Sequence, residues 1–462
     1  MVVVGDKNLV SLSELCKQLS ISVVTGRNWL KLGKINQVLL VDKVPYFTQD
    51  YVLDLKRRIA IGENAALKSR RNKKYVSGNE LYSSYVSAAS RNIAVIQSFI
   101  QAIKALKIEL TDELISTIIV YFARQVISLN AEFLIQDIIN NFGYSSEFIK
   151  KHSELINVEL FDEPNEDILG LLYISLKSLG DRKSKGAYYT PTSVVKKLIS
   201  NVFDNIECST KTVLDPCCGT GNFILQLPNS FVAENVYASD IDLMSVLIAR
   251  INFSKRFNVL DKNLIYKNIY QCDYLDKNQN KKYDYIIGNP PWGSDFSTDK
   301  KQKLRKKYKS ALGANIESYD VVVEQALSEL SFGGTLAFVL PESFLNVKTH
   351  TPIRKFLMKE NSITSLEYLG EVFNGVQCPS VIIQILHNGK TFSTKGMRVN
   401  YKDNEFIISS NRDVSAECFN FLMNDEQYLV LEKILNINNK VYLKNNARFA
   451  LGIVTGNNSK YL

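Results

Sequence analysis

Two short clusters in this 462-residue chain combine residue types and spacing suited to chemistry. The first is Asp215-Pro216-Cys217-Cys218-Gly219-Thr220-Gly221-Asn222-Phe223, which follows a short apolar run at 212–214. A strand, a turn with two glycines and then a helix lets the backbone approach a ligand closely, because glycine bends where a Cβ would obstruct. The pattern is not G-x-G-x-x-G and no P-loop lysine follows, so NAD and ATP fit poorly. Further on, Asp240 closes "VYASD", a position from which an acid can accept from both hydroxyls of a ribose. Asp273, in "QCDYL", could accept from an exocyclic amine of an adenine ring, with Tyr274 packed on that ring. The second cluster is Asn289-Pro290-Pro291-Trp292, directly after "YDYIIG". Two prolines make a rigid turn at the carboxyl end of a strand, where open α/β sheets bind ligands. The turn aims the Asn289 side-chain oxygen and the Pro290 carbonyl at one point, and two convergent acceptors suit one NH2 group. Trp292 offers a flat face to a planar amine.

These clusters need a scaffold that sets both at strand ends. From Tyr188 onward, short β-rich apolar runs alternate with helical stretches: 212–214, 236–238, 285–287, 336–339 and 381–385. That alternation predicts a mostly parallel, doubly wound α/β sheet. Residues 80–180 carry Leu, Ile, Ala and Ser at helical periods and predict a helical region. Asp181-Arg182-Lys183 has a D-x-K form but lacks the strand a nuclease motif needs. Residues 1–60 read as a separate unit: a helix around Leu12, Leu15, Cys16 and Leu19, a second from Thr25 to Leu32, strands at 38–41 and 46–47, and a helix from Gln49. Helix, turn, helix and hairpin is a DNA-binding layout, and the segment resembles helix-turn-helix domains of the MerR/excisionase type. Thr25, Arg27, Asn28 and Lys31 would then face a major groove; a helical cap with a solvated polar face is the alternative.

Charge is uneven. Residues 56–74 carry eight basic side chains (Lys56, Arg57, Arg58, Lys68, Arg70, Arg71, Lys73, Lys74) against Glu63, and seven of the ten residues at 300–309 are Lys or Arg. Both runs suit phosphate contacts, the second beside the N-P-P-W turn; a solvated linker is the alternative for the first and a mobile solvated loop for the second. Overall, 56 Lys plus Arg against 47 Asp plus Glu give +9, with 45% hydrophobic and 22% charged residues. Such a composition excludes a disordered, collagen-like or fibrous chain. Seven cysteines without a C-x-x-C pair, and three separated histidines, His152, His350 and His387, predict neither a disulfide framework nor a metal site. The longest apolar stretch, Leu114 to Ala123, is half a membrane span, and no secretory signal is read at the N-terminus. A cytoplasmic, prokaryotic protein without membrane segment or metal is expected.

Taken in order, "GAYYTP" (186–191), "DPCCGTGNF", "SDID", "CDYL", "GNPPWG", "GGTLAFVLPESFL" and "YLGEVF" resemble the N6-adenine DNA methyltransferases of restriction–modification systems. The arrangement is the gamma one, with the cofactor motif before N-P-P-[YFW], and the likeness covers roughly residues 180–390. It implies a Rossmann-like S-adenosylmethionine-dependent methyltransferase domain over 181–400, after a helix-turn-helix unit at 1–60 and a basic linker and helical region at 61–180. It implies cofactor contacts at Tyr189, Thr190, Pro191, Asp215, Pro216, Cys218, Gly219, Gly221, Asn222, Phe223, Asp240, Ile241, Asp273 and Tyr274. Asn289, Pro290, Pro291 and Trp292 would be catalytic, with Phe373 of "GEVF" as a second aromatic against a flipped adenine. The family usually has Tyr or Phe after N-P-P; Trp292 departs from that and keeps the aromatic face. Cys217 and Cys218 read as small fillers of the turn.

The resemblance implies double-stranded DNA as partner. Relatives carry a sizeable target-recognition domain after the position of Phe373, whereas 89 residues follow it here. Residues 401–462 read as the beginning of such a domain, so a separate specificity subunit is an expected partner. N-P-P-[YFW] also serves enzymes that methylate a protein glutamine or guanine N2 in ribosomal RNA. A non-catalytic DNA-binding regulator is the remaining alternative, and it leaves the cofactor set without purpose.

Overall fold

The computed structural model describes residues 9–447 except 20, 22, 32–34, 42–43, 61–68, 71–72, 75–82, 128, 164, 178–188, 277–280, 294–295, 314, 374–377, 403, 442 and 444–445. The D-x-K triplet, the Gly186–Tyr188 part of "GAYYTP", the closing "GIVTGNNSKYL", and Lys68 and Arg71 of the linker lie outside the described residues.

The N-terminal unit is built on β1 (Leu9–Ser11), β2 (Leu39–Val41) and β3 (Val44–Thr48), with β3 central and antiparallel to both. Helices Leu12–Gln18, Val23–Lys31 and Gln49–Ala60 pack on it. Ser11 starts the first with a capping box: its hydroxyl accepts from the Glu14 amide, and the Glu14 carboxylate accepts from the Ser11 amide. Leu15, Cys16, Trp29, Phe47 and Leu55 form a core of their own. Gly26 sits where the first two helices meet; a Cβ there would stand 2.3 Å from the Cys16 sulfur. The basic linker contributes a two-stranded pair, β4 (Ser69–Arg70) and β5 (Lys73–Lys74).

A second core runs from Tyr85 to Phe421 and joins the helical region to the main sheet without a break in packing. Helices Asn92–Ala105, Asp112–Val126, Glu132–Phe142 and Ile168–Leu176 contribute to it. All nine residues of Ile168–Leu176 are buried, the signature of a helix with no solvent face.

The main sheet holds β6 (Val213–Asp215), β7 (Val236–Asp240), β8 (Ile269–Gln271), β9 (Tyr283–Gly288), β10 (Leu330–Pro341), β11 (Asn361–Gly370), β12 (Ser380–His387), β13 (Arg398–Tyr401) and β14 (Asn404–Ile407). Their spatial order is β14-β13-β11-β12-β10-β9-β6-β7-β8. Strands β8, β7, β6, β9 and β10 are parallel throughout, and β12 runs antiparallel between β10 and β11. The chain lays β6, β7 and β8 toward one edge and then returns to place β9 on the other flank of β6. That reversal is a topological switch point, and the crevice at the carboxyl ends of β6 and β9 is where such sheets take ligands. Beyond the sheet, helix Asp425–Leu435 buries none of its residues.

Candidate active site

Strand β6 ends at Asp215, which is 3% exposed. Its Oδ1 accepts from the Cys217 amide at 3.2 Å, and its Oδ2 is buried with no hydrogen-bond partner among the described residues. Burial pushes this carboxyl well above the usual carboxylate range, and the charge of Asp240 adds to the rise. A buried, incompletely satisfied carboxylate calls for a cationic or N–H-bearing ligand. Gly219 and Gly221 both have positive φ, +53° and +94°, where side chains are strained. A Cβ on Gly219 would meet the Tyr189 ring at 3.2 Å, so Tyr189 lies directly over the turn. Asn222 donates to the Thr190 carbonyl at 3.0 Å and the Thr192 hydroxyl at 3.1 Å, while Phe223 is buried in the core. These two expected cofactor contacts therefore hold the turn from behind, and they tie the Thr190-Pro191 segment to it. Ser239 donates its hydroxyl to the Pro216 carbonyl at 3.1 Å, and its own carbonyl accepts from the Cys218 amide at 2.9 Å. Cys218 is buried and, like Cys217, has its thiol pushed up by burial, so neither is an activated nucleophile.

Asp240 ends β7 and reaches across to the turn: Oδ2 accepts from the Gly219 amide at 2.8 Å and Oδ1 from the Asp242 amide at 2.9 Å. The helix that follows, Leu243–Phe257, is capped by Asp242 and not by Asp240, which leaves Asp240 at the crevice. Its neighbour Ile241 is 65% exposed, an apolar face beside the acid. Asp273 lies after β8 with Oδ1 accepting from the Leu275 amide at 3.0 Å and Oδ2 from the Lys300 ammonium at 2.8 Å. Tyr274 departs from its expected place on a ligand ring. It is buried, with its hydroxyl donating to Glu329 at 2.8 Å.

Strand β9 delivers the second cluster. Gly288 has φ +143°, and a Cβ on it would stand 2.6 Å from Asp215 Oδ1. The two clusters, far apart in sequence, are thus neighbours at adjacent strand ends. Asn289 is half-buried and Pro290 buried. The Ser318 hydroxyl donates to the Pro291 carbonyl at 2.5 Å and pins the turn to the start of helix Ser318–Glu329. Trp292 and Phe373 are both buried, and their rings meet edge to face with centroids 4.8 Å apart and planes at 77°. A base sandwiched between two rings needs about 7 Å, two contacts of about 3.5 Å each. The expected pair of aromatics is together, but closed on itself.

The basic run at 300–309 forms a helix and not the solvated loop that was its alternative reading. Thr298–Lys307 is capped by Ser297, with Leu304 buried and Lys303, Arg305 and Lys306 exposed. Its inner side is fixed: Lys300 bridges Asp273 and, at 2.6 Å, Asp276, and Lys307 donates to the Leu275 carbonyl at 3.1 Å.

Sequence reasoning missed two buried polar groups. Asp167, at the cap of the all-buried helix, is bonded to Thr220 between the two turn glycines. Asp320 and His350 meet at 2.9 Å, and His350 also bonds the Tyr319 hydroxyl at 2.8 Å, behind Ser318. A signal existed for the first, since an acid capping a helix with no polar face must itself be buried. None existed for the second, whose partners are far apart in sequence. Among the described residues no cluster of His, Cys, Asp and Glu could hold a metal, and no helix is long and apolar enough to cross a membrane.

This strand order, with a glycine turn after the first strand and an acid closing the second, defines a Rossmann-like S-adenosylmethionine-dependent methyltransferase fold. The chain belongs to the N-6 DNA methylase family, whose model matches residues 165–427, more than half of it. By that membership it is an adenine-specific DNA methyltransferase. It is 29% identical over 320 residues to the type II methyltransferase M.VspI of Vibrio sp. (strain 343), covering 66% of this chain and 73% of that one. It is 24% identical over 301 residues to the type II methyltransferase M.AccI of Acinetobacter calcoaceticus, covering 62% and 54%. Among solved structures, the cryo-electron-microscopy complex of DrdV with DNA aligns with a TM-score of 0.48 and 15% identity, over 67% of this chain and 37% of that one. The chain thus spans about half of the Acinetobacter relative and less of DrdV.

Proposed function

We propose that this protein transfers a methyl group from S-adenosylmethionine to N6 of an adenine flipped out of double-stranded DNA, as the modification enzyme of a restriction–modification system. One observation carries the reading: Asp215 and Asn289 stand side by side at the carboxyl ends of β6 and β9, with Gly288 fitting against the Asp215 carboxylate. The buried oxygen of Asp215, unpartnered among the described residues, fits a cationic cofactor, Asp240 fits its ribose, and Asp273 its base, with Ile241 alongside. Tyr189 closes over the glycine turn, next to Thr190 and Pro191. When bound, S-adenosylmethionine supplies an electrophilic methyl on a sulfonium.

The protein's task is then to make a poor nucleophile attack. The adenine amine is weak because its lone pair is delocalised into the ring. The Asn289 side-chain oxygen and the Pro290 carbonyl accept its two hydrogens, which favours a pyramidal nitrogen with a directed lone pair. Held in this way, the amine would direct its lone pair at the methyl that the bound cofactor supplies, and it would lose a proton to solvent after the displacement. Positioning and fixed dipoles are sufficient for such a displacement. Trp292 supports the flipped base, with Phe373 beside it. Lys303, Arg305 and Lys306 face the phosphates. The winged layout at 1–60 provides a second contact to DNA through Arg27 and its helix, and the described part of 401–462 is where a specificity subunit would join.

The test is methylation of genomic DNA, ribosomal RNA and protein by the purified chain with labelled cofactor. Single-molecule sequencing then maps N6-methyladenine, with Asn289→Ala as control. Label confined to RNA or to protein glutamine would overturn the DNA reading. Failure of the wild type to bind S-adenosylmethionine would leave the regulator alternative standing.

A further inference from the structure

The two glycines that let the cofactor turn bend also leave it without stiffness of its own, because glycine carries the largest backbone freedom. Thr220, between them, is fully buried and held at both ends. Its hydroxyl donates to Asp167 Oδ2 and stands 3.0 Å from the Tyr85 hydroxyl; its carbonyl accepts from Asn252 Nδ2 at 2.7 Å. Asp167 is the centre of this group. Its Oδ1 accepts from the Gly170 amide and from Asn252 Nδ2, both at 2.8 Å, and its Oδ2 accepts from the Tyr85 hydroxyl at 2.5 Å as well as from Thr220. Four donors fill both oxygens of a carboxylate that is 0% exposed.

Capping a helix would need only the Gly170 amide. The remaining three donors come from residue 85, from the cofactor turn and from helix Leu243–Phe257. Gly170 confirms how tightly they close: a Cβ there would stand 2.1 Å from Asp167 Oδ2 and 2.4 Å from Thr220 Oγ1. Tyr85 extends the linkage, because its carbonyl accepts from the Thr192 hydroxyl at 2.7 Å, and Thr192 is bonded to Asn222. Both segments that would flank the cofactor's methionine end, 189–191 and 219–223, are therefore tied to one buried carboxylate. Tyr85 lies outside the family's matched segment, residues 165–427.

We infer that Asp167, with Tyr85, is a positioning residue that sets the Gly219–Gly221 turn for the cofactor, so that the helical region upstream of the matched segment is part of the cofactor site. The inference rests on the proposed cofactor reading. A charged group buried at this depth is costly unless every partner is present, and here the partners are the turn itself.

The experiment measures S-adenosylmethionine binding by calorimetry, methylation kinetics and thermal unfolding for wild type, Asp167→Asn and Tyr85→Phe. Asn keeps the shape of Asp167 but turns an acceptor into a donor facing donors. Phe removes one hydroxyl and nothing else. The expected result is a cofactor Kd and KM raised on the order of tenfold or more in Asp167→Asn, and by a smaller factor in Tyr85→Phe. The KM for DNA and the kcat at saturating cofactor stay near wild type in Tyr85→Phe. Restoring the hydroxyl contact offers a further check: Thr220→Ser, which keeps the hydroxyl, binds cofactor better than Thr220→Val, which keeps the shape. Variants that lose only melting temperature, with cofactor affinity unchanged well below it, would overturn the inference. Wild-type protein that binds no cofactor would overturn the underlying reading first, and the two failures are told apart by that one titration.

Discussion

The two halves of the active site are held in different ways. Around β6, each segment of the cofactor turn is bonded to something distant: Gly219 to Asp240, Thr220 to Asp167 and Asn252, Asn222 to Thr190. After β9, the N-P-P-W turn has its proline stiffness, a bond from the Ser318 hydroxyl to the Pro291 carbonyl, and the edge-to-face contact of Trp292 with Phe373. The cofactor half is preorganised. In the proposed reading, the contact between Trp292 and Phe373 would have to open before an adenine could enter. The difference fits the ligands, since a small cofactor can diffuse into a ready cleft, whereas a flipped base arrives at the cost of unstacking and must displace what fills its pocket.

The largest effect tests whether the halves are separable. Asn289→Ala removes one acceptor and lowers kcat on the order of 10²–10³-fold, while calorimetry finds cofactor affinity unchanged. Full activity would sink the assignment of Asn289. Gly288→Ala strikes the seam between the halves. Its Cβ would collide with Asp215 at a positive φ, so stability falls by about 2–4 kcal/mol and cofactor affinity falls with it. Denaturant unfolding reads the first and calorimetry the second; a protein as stable as wild type would contradict the close approach of the two strand ends.

A third prediction concerns the support behind the base half. Burial pushes Asp320 up to about 6, against the pull of His350. Its folded value lies above its unfolded one, so the folded state holds the proton more tightly. Stability contributed by this group is therefore lost as pH rises from about 4 through about 6, and is level above that, by about 2–3 kcal/mol in all. Comparing unfolding of wild type and Asp320→Asn across that range should show a slope smaller by this amount in the variant, since other buried carboxyls such as Asp215 keep theirs. The smallest effect sharpens the claim of closure. In a Trp29→Phe background, where Trp292 is the sole tryptophan, Phe373→Leu removes an edge-to-face contact worth about 0.5–1.5 kcal/mol. Trp292 emission then shifts toward the solvent-exposed wavelength with cofactor affinity unaltered. An unshifted spectrum would mean that Phe373 does not cover Trp292.

Legibility followed the same division. The strands that deliver the site were readable because their apolar runs are short and bounded by turn residues: 236–238 lies within Val236–Asp240 and 285–287 within Tyr283–Gly288. Strands β8 and β13 were not, since β8 follows a helix directly as three residues and β13 is four residues of mixed polarity, too short for a period to show. In the run at 300–309 no helical period is legible, because seven like charges dominate it. The structure makes it a helix because Ser297 caps it, Leu304 and the following Tyr308 are buried, and the Lys300 ammonium is held by Asp273.

Within the site, the positions of the glycines, Asp215, Asp240 and Asn289 followed from sequence alone, because turn chemistry is local. Shortly after a strand, glycines permit a tight bend and a proline pair stiffens one, whatever the rest of the fold. What a side chain does once it reaches the crevice is not local. Tyr274 sits beside Asp273 in sequence yet turns inward to Glu329, and Asn222 turns back to Thr190. Asp167 gains its meaning only from Tyr85, Thr220 and Asn252, which the chain brings together from three separate segments. The sequence by itself determined which motifs this protein carries and that a parallel sheet presents them. Only the tertiary structure decided which of those residues reach the crevice and which brace the turn, because a buried polar group takes whatever partner the packed fold puts within hydrogen-bond reach.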